Sequence, residues 1–567
     1  MRSMRRPVIA ALVAATAFGV VQSTSSAGSA PREYVVLYER GVSAAQARAA
    51  VEDAGGRIVS VNRKIGVATV RSSNQDFRAD AAAEKAIVGA AANRPIGHAP
   101  KARATWQPQW GIEKGDKPDK RHGHWPAPAP KDEPLAGAQW DMDMIGATPD
   151  GSYRKQPGSK KVRVGIIDTG IDASHPDIAP NFDRRLSRNF VTDIPLIDGP
   201  CEVPSCKDPA DVDQGGHGTH VAGTVGAAIN GVGIAGVAPN VDLVNLRGGQ
   251  DSGFFFLQPS VDALTYAGDH GIDVVNMSYY IDPWLYNCAD NPADSPAAQE
   301  EQRTIIAATQ RALDYARHHG VTLISALGNE DDDLGAPEPD DTSPDYPPDT
   351  AYPREVDNSC LSMPTEGKGV IGVSAVGPSK RKAFYSNYGT EQTDVSAPGG
   401  DSRDTATGLA NPANRVLSPY PESALRQECE LSGYDAPVVD CQINMDGTPR
   451  EGSMLIQSTE NPHVYWRWLQ GTSMASPHAV GVAALIVAEY GHRDRRHGGV
   501  TLNPRTTERI LRRTATDTAC PEPRLFDYPE PASGDQYTAF CDGPPSDNGF
   551  YGDGIVNALA AVTTGRH

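Results

Sequence analysis

Past residue 30, the 567-residue chain has no unbroken apolar run of the roughly 18 residues that a helical bilayer span requires. A helical membrane domain is therefore excluded for the bulk of the sequence, and no membrane contact is expected of it. Positive charge is in short supply: 52 Lys and Arg stand against 71 Asp and Glu, for a net charge of −19. Such a chain repels phosphate polyanions, so nucleic acid is not an expected partner. Cysteines at C-x-x-C spacing, an H-E-x-x-H motif and internal repeats are all missing. Their absence removes the commonest zinc sites.

What is present begins with a targeting pattern. Arg2, Arg5 and Arg6 precede an apolar run from Val8 to Val21, and small residues follow, with Ala27 and Ala30 as candidate cleavage ends. This is the layout of a secretory signal peptide over residues 1–30. The run is too short for a membrane anchor, so the product is expected to be secreted and extracellular. The eight cysteines agree, since an even count suits disulfides in an oxidising compartment. Pairing sequence neighbours would give Cys201–Cys206, Cys288–Cys360, Cys429–Cys441 and Cys520–Cys541. That is one arrangement among about 105.

Charge is unevenly divided. Residues 31–130 carry 16 Lys and Arg against 10 Asp and Glu, while the remainder is strongly acidic. A basic front segment would be drawn to an acidic body. That front segment reads as strand Glu33–Tyr38, helix Ser43–Ala54, strands Arg57–Val61 and Gly66–Arg71, and helix Asp80–Ala92, a small α+β unit over 31–95. Residues 96–137 are dominated by Pro, Gly, Lys and His and read as an exposed linker open to processing. From 138 to 567, apolar β runs at Val162–Ile167, Val241–Leu246, Ile272–Asn276, Val321–Ala326 and Val370–Ala375 alternate with helical stretches such as Ser260–His270 and Glu300–His319. That alternation predicts an α/β fold, a doubly wound, mostly parallel sheet flanked by helices. Ligands meet such sheets at the carboxyl ends of strands.

Three motifs fall at such positions. In GIIDTGIDASHPDI (165–178) a strand delivers Asp168 before a turn. A lone Asp there is commonly a turn or cap residue. In HGTHVAGTV (217–225) glycines place His217 at a helix entrance, and a third or fourth ligand at zinc-like spacing is lacking. In GTSMASPHAVGVAAL (471–485) Ser473 opens a helix of small and apolar residues. Ser at a helix start is often a cap, but a cap alone does not require small neighbours. A serine hydroxyl needs a base to take its proton, and the base needs a carboxylate to hold its tautomer. Asp168, His217 and Ser473 supply all three.

DTGIDASHPDI, GGHGTHVAGTV and GTSMASPHAVGVAAL resemble the three signature regions of the subtilisin-like (subtilase) serine proteases, and the resemblance runs from about residue 138 to 561. It implies a serine endopeptidase in which Asp168 orients, His217 is the base and Ser473 the nucleophile. Asn329, in VTLISALGNED (321–331), matches the family's oxyanion donor, with the Ser473 N–H as the second donor. Substrate is expected to bind extended beside strands at Asp251-Ser252-Gly253 and Asn276-Met277-Ser278. The substrate-binding residues so implied are Ser252, Gly253, Ser278, Tyr279, Tyr280 and Glu330. Tyr279-Tyr280 stand where the family usually has Leu-Gly, which predicts a narrowed pocket, and Glu330 places a carboxylate near the residue preceding the cut bond.

The resemblance also implies a structural Ca²⁺ held by Asp177, Asn230 and the carbonyls of Ala228, Val232 and Ile234. The lesser reading of Asn230-Gly231 is that it is only a turn. No organic cofactor is implied. The acidic residues Asp331, Asp332, Asp333, Asp340, Asp341 and Asp345 read as a solvated loop rather than a second ion site. The front segment resembles the family's inhibitory propeptide, which makes its own removal part of maturation, and a monomer is expected. Between Ala397-Pro398-Gly399 and Gly471 the chain carries an insertion of about seventy residues, at 400–470, where the family usually has a much shorter loop. The end, Tyr551–Asn557, resembles the family's closing helix, so no further module is expected.

Overall fold

The computed structural model describes residues 31–94, 133–347, 349–529 and 537–564. The signal segment and most of the linker expected above lie outside them. Residues 133–137, assigned to that linker, are docked on the body: Leu135 N–H donates to the Gly233 carbonyl at 2.8 Å.

The front unit is built from β1 (Arg32–Tyr38), α1 (Ala44–Asp53), β2 (Gly56–Asn62), β3 (Val67–Ser72), α2 (Phe77–Ala83) and β4 (Ile87–Arg94). The strands form an antiparallel sheet in the order β2-β3-β1-β4. Ser43 caps α1 in a capping box with Gln46. The helix expected over Asp80–Ala92 is half strand. Its alanine-rich second half reads as helical by propensity, but from Ile87 it pairs with β1, and the ladder outweighs the preference. Alternation along β1 explains how the unit sits. Tyr34, Val36 and Tyr38 face its own helices, whereas Val35 and Leu37 join the core of the body.

The body contains β5 (Arg163–Ile167), β6 (Arg188–Asn189), α3 (His217–Gly226), β7 (Asp242–Arg247), α4 (Leu257–Asp269), β8 (Val274–Met277), α5 (Pro296–His318), β9 (Thr322–Ala326), β10 (Val370–Val376) and β11 (Val395–Pro398). Seven parallel strands run in the order β11-β10-β9-β8-β5-β7-β6. Their cores are β-branched and aliphatic because both faces are covered. One face packs against α3 and α7 (Thr472–Tyr490), the other against α4 and α5, and α5 in turn packs on β4 and β1 of the front unit.

The insertion is ordered. β12 (Val416–Tyr420), α6 (Glu422–Ser432), β13 (Leu455–Gln457) and β14 (Tyr465–Leu469) include a three-stranded antiparallel sheet in the order β12-β14-β13. The four neighbour-paired disulfides are all formed. Tyr551–Asn557 is not helical. The closing helix, Ala558–Thr563, starts one residue later and is capped by the Asn557 side chain on Ala560 N–H.

Candidate active site

Asp168 stands at the carboxyl end of β5, fully buried, and its Oδ1 accepts from Thr169 N–H and from His217 Nδ1, each at 2.8 Å. With Nδ1 donating, the basic nitrogen of His217 is Nε2. Close approach of α3 to the Asp168 loop requires glycine at 218, where a Cβ would lie 2.1 Å from the Gly170 carbonyl. The first turn of α3 is capped from outside by Asp213, a residue the motifs did not single out. Asp213 Oδ1 accepts from Gly216 N–H and Thr169 Oγ1, and Oδ2 from Thr219 N–H and Oγ1, at 2.6–2.9 Å.

His220, one turn on, is not a partner of His217 in a metal site. It is buried and kept neutral, with its pKa pushed down to about 3 by desolvation, and its Nε2 bonds to the Arg467 carbonyl of β14 at 3.0 Å. His175 does the same toward Tyr465 at 3.1 Å. The insertion thereby holds the catalytic helix: Ser418 Oγ donates to the His220 carbonyl and the Tyr420 ring lies against Gly216, where a Cβ would meet it at 2.4 Å.

Ser473 lies in the first turn of α7, which packs against α3. It lines a cleft with Ser278, Tyr279, Tyr280, Asn329 and Glu330, so six of the sequence-expected residues meet there. Asn329 is oriented through its oxygen, which accepts from Thr472 N–H at 2.9 Å and Thr472 Oγ1 at 3.0 Å. Its amide NH₂ is thereby left for another acceptor. Asn276 and Ser476 bond at 2.7 Å, and Ser278 Oγ reaches the Ser473 carbonyl at 3.3 Å, tying β8 to α7.

Tyr279 and Tyr280 both line this cleft. Tyr280 OH donates to Asp345 at 2.8 Å, fixing its ring as a cleft wall, while Tyr279 stacks on Phe255 with ring centroids 4.2 Å apart. Glu330 is exposed at the cleft, with Oε2 held by Asn329 N–H and Asn387 Nδ2. Ser252 and Gly253 do not lie on a strand. Asp251 is drawn back to Arg247 and Gly253 N–H closes on the Gln250 carbonyl, so the segment is a turn, with Ser252 N–H and Oγ both donating to Asp198. The acidic run is solvated only in part: Asp341 is exposed, but four of its aspartates are held by the fold. Asp331 pairs with buried Lys382, Asp332 accepts from Tyr286, Asp340 pairs with Arg354, and Asp345 holds Tyr280. Partners within the fold outcompete water at these carboxylates.

Of the residues expected to hold calcium, Ala228 and Ile234 meet Asp177: Ala228 N–H donates to the Asp177 carbonyl at 2.8 Å. Asp177 is fully buried, and its Oδ2 accepts from Trp466 Nε1 at 2.8 Å and Ile234 N–H at 3.1 Å. Its Oδ1 is buried without a hydrogen-bond partner, and so is Oε2 of Glu133, whose Oε1 caps Asn230 and Gly231 N–H. Two buried carboxylate oxygens without donors fit a hard cation beside the 228–234 loop. Asn230 Oδ1 accepts from Val232 N–H at 2.7 Å, the local turn that shapes this loop. Glu133 went unseen in the sequence because it belonged to a segment that reads as linker.

A family model described as the Subtilase family matches residues 159–528. Subtilisin DY of Bacillus licheniformis is 29% identical over 329 residues, covering 58% of this chain and 77% of that protein. Thermophilic serine proteinase of Bacillus sp. (strain AK1) is 27% identical over 333 residues, covering 59% of this chain and 53% of that protein, about half its length. Among solved structures, the epidermin leader peptide processing serine protease of Staphylococcus aureus gives a TM-score of 0.59 at 19% identity, over 95% of this chain and 99% of that one. Fervidolysin of Fervidobacterium pennivorans gives 0.53 at 20% identity, over 95% and 61%. At these identities the structural likeness is one of fold.

Proposed function

Because the chain belongs to the subtilase family, we propose that it is a secreted serine endopeptidase, made as a precursor that matures by its own cleavage. The observation that carries this is the Asp168–His217 hydrogen bond of 2.8 Å on a helix packed against the one that presents Ser473. Ser473 Oγ attacks the scissile carbonyl while its proton passes to His217 Nε2, and Asp168 stabilises the imidazolium. The tetrahedral oxyanion is received by Asn329 Nδ2 and the Ser473 N–H, the latter at the positive end of α7. Collapse breaks the C–N bond as His217 returns the proton to the leaving amine. Water then hydrolyses the acyl-enzyme by the same route. Purified protein should hydrolyse casein, and Ser473→Ala or His217→Ala should abolish hydrolysis and leave the front unit attached. Maturation of either variant on its own would contradict self-cleavage.

A Ca²⁺ bound by Asp177 and Glu133, with Asn230 and the carbonyls of Ala228, Val232 and Ile234, would serve structure rather than chemistry. The front unit is read as an inhibitor of its own body. Supporting this, Lys64 pairs with Asp269 and Arg78 with Glu301, basic groups of the unit on acidic groups of the body, and Ala92 N–H donates to Glu301 Oε1 at 2.8 Å.

A narrower role, processing of one or a few precursors, is favoured by the walled cleft. Tyr280 is locked by Asp345, Leu285 lines the same cleft, and the Cys288–Cys360 disulfide braces the segment that follows it. Glu330 at that cleft favours a basic side chain before the cut. A peptide library should show few sites, enriched in Lys or Arg, with the basic preference several-fold weaker in Glu330→Gln. Scattered cuts after many residue types would instead mean a general protease.

A further inference from the structure

Where the front unit meets the body lies a cavity of about 660 Å³ that the chemistry above does not use. Its walls come from both units. The end of β1, the start of α1 and the β2–β3 turn form one side, and Arg311, Asp314, Tyr315 and His318 of α5 form the other. The cavity therefore exists only while the two units are joined. Its size is that of a site for a small organic molecule.

Charge on its walls is mainly of one sign. Arg40, Arg48, Arg63 and Arg311 line it and form no ion pair among the described residues. Glu39 and Asp314 are the acidic groups there, and two carboxylates do not balance four guanidiniums. Lys64 is already paired with Asp269. Arg311 is fixed by donating to the Tyr38 carbonyl at 2.6 Å, and desolvation together with the Arg40 guanidinium lowers its pKa. An anion placed among these groups would relieve their mutual repulsion.

The cavity also has an apolar side and a waiting donor. Val42, Ile58 and Val61 line it, and Val61 keeps 42% of its surface exposed. Tyr38 lines it too. That residue is 5% exposed, and its hydroxyl is buried without a hydrogen-bond partner. Desolvation pushes its pKa up to about 12, against the pull of the nearby Arg48 guanidinium. A buried hydroxyl without a partner is costly, and one beside a guanidinium is a ready donor to an anion. The chain's own flanking segments do not suit the cavity. Residues 95–132, which join the two units, are net basic, and residues 1–30 have arginines but no Asp or Glu.

We propose that this cavity binds a small organic anion, with a carboxylate or phosphate head on a short apolar body. The head lies among Arg48, Arg63 and the Tyr38 hydroxyl, and the body on Val42, Ile58 and Val61. A ligand that touches both units ties one to the other. By linkage, ligand at ten times its Kd strengthens the joined state about tenfold. This effect on release rests on reading the front unit as an inhibitor, whereas the site itself does not.

The full chain carrying Ser473→Ala, which removes self-cleavage, is titrated by calorimetry with hexyl phosphate, hexanoate and inorganic phosphate. One organic anion per chain is expected, and the tighter of the two identifies the head. Inorganic phosphate should bind about tenfold or more weakly, for want of an apolar body. Arg48→Gln should weaken the organic anion by about tenfold, and Tyr38→Phe by several-fold. Neither substitution should lower the melting temperature without ligand, since neither group has a partner to lose. In the unmutated chain the ligand should lengthen the delay before peptide hydrolysis begins, and Tyr38→Phe should blunt that effect. Failure of both organic anions to bind, or binding indifferent to Arg48→Gln and Tyr38→Phe, would overturn the site. Binding with an unchanged delay would overturn its role in holding the units together. A chain that never hydrolyses peptide would count against the protease reading instead, and calorimetry would still decide the site.

Discussion

Burial pushes the Asp273 carboxyl up to about 8, against the pull of Arg163, whose N–H donates to Asp273 Oδ2 at 2.9 Å. A carboxyl raised on folding binds its proton more tightly in the native state. Its contribution to stability is therefore whole below the unfolded pKa of about 4 and is lost as pH rises toward about 8. Asp273→Asn keeps the acceptor and removes the charge. Its melting temperature should overtake that of the parent near pH 9 and match it near pH 4, and a difference independent of pH would refute this origin. Asp213 carries a second expectation. Asp213→Ala strips four hydrogen bonds around the first turn of α3, so melting should fall by the equivalent of about 1–2 kcal/mol. The turnover number should fall more than KM rises, because His217 is displaced. Asn329→Ala should lower kcat by about 10²–10³, the magnitude measured for the equivalent amide in subtilisin. Asp168, His217, Ser473 and Asn329 were legible in the sequence because each sits in a motif whose spacing is local. Asp213 and Glu133 were not, because their work is to accept from backbone donors whose position only the folded chain fixes.

At the scale of elements, β4 shows where propensity misleads. Ile-Val-Gly-Ala-Ala-Ala reads as helix until a neighbouring strand offers a ladder. Its Gly89 sits against α5, where a Cβ would lie 2.3 Å from Thr304 Oγ1. Gly89→Val should therefore loosen the front unit. When the separated unit is added to mature enzyme, its inhibition constant should rise by about tenfold or more, the scale of an overpacked contact. Equal inhibition by both forms would show that β4 is not part of the grip. The parallel sheet was legible because strands covered on both faces are nearly continuous apolar runs. The insertion was legible as an extra segment, but its inner fold was not, since a three-stranded sheet spread from Val416 to Leu469 has strands too short and loops too polar to announce themselves.

Over the whole molecule, acidity and calcium belong together. The chain carries an excess of 19 negative charges, and some of its carboxylates are buried with oxygens lacking donors at Asp177, Glu133, Asp193, Asp208 and Asp251. Chelation should lower the melting temperature through lost linkage, and the loss should be restored as Ca²⁺ is returned. A melting point indifferent to chelator would count against the ion site at Asp177 and Glu133. Disulfides add a different kind of support. Three of the four close short loops of 5, 12 and 21 residues, whereas Cys288–Cys360 spans 72 and should contribute most to resisting denaturation.

The grip of β14 on its neighbours has a practical corollary. Anyone trimming this chain to a minimal catalyst would do better to cut ahead of Glu133 than to splice Gly399 onto Gly471. The splice would take away the carbonyls of Tyr465 and Arg467 and leave two dry imidazoles, His175 and His220, with nowhere to donate.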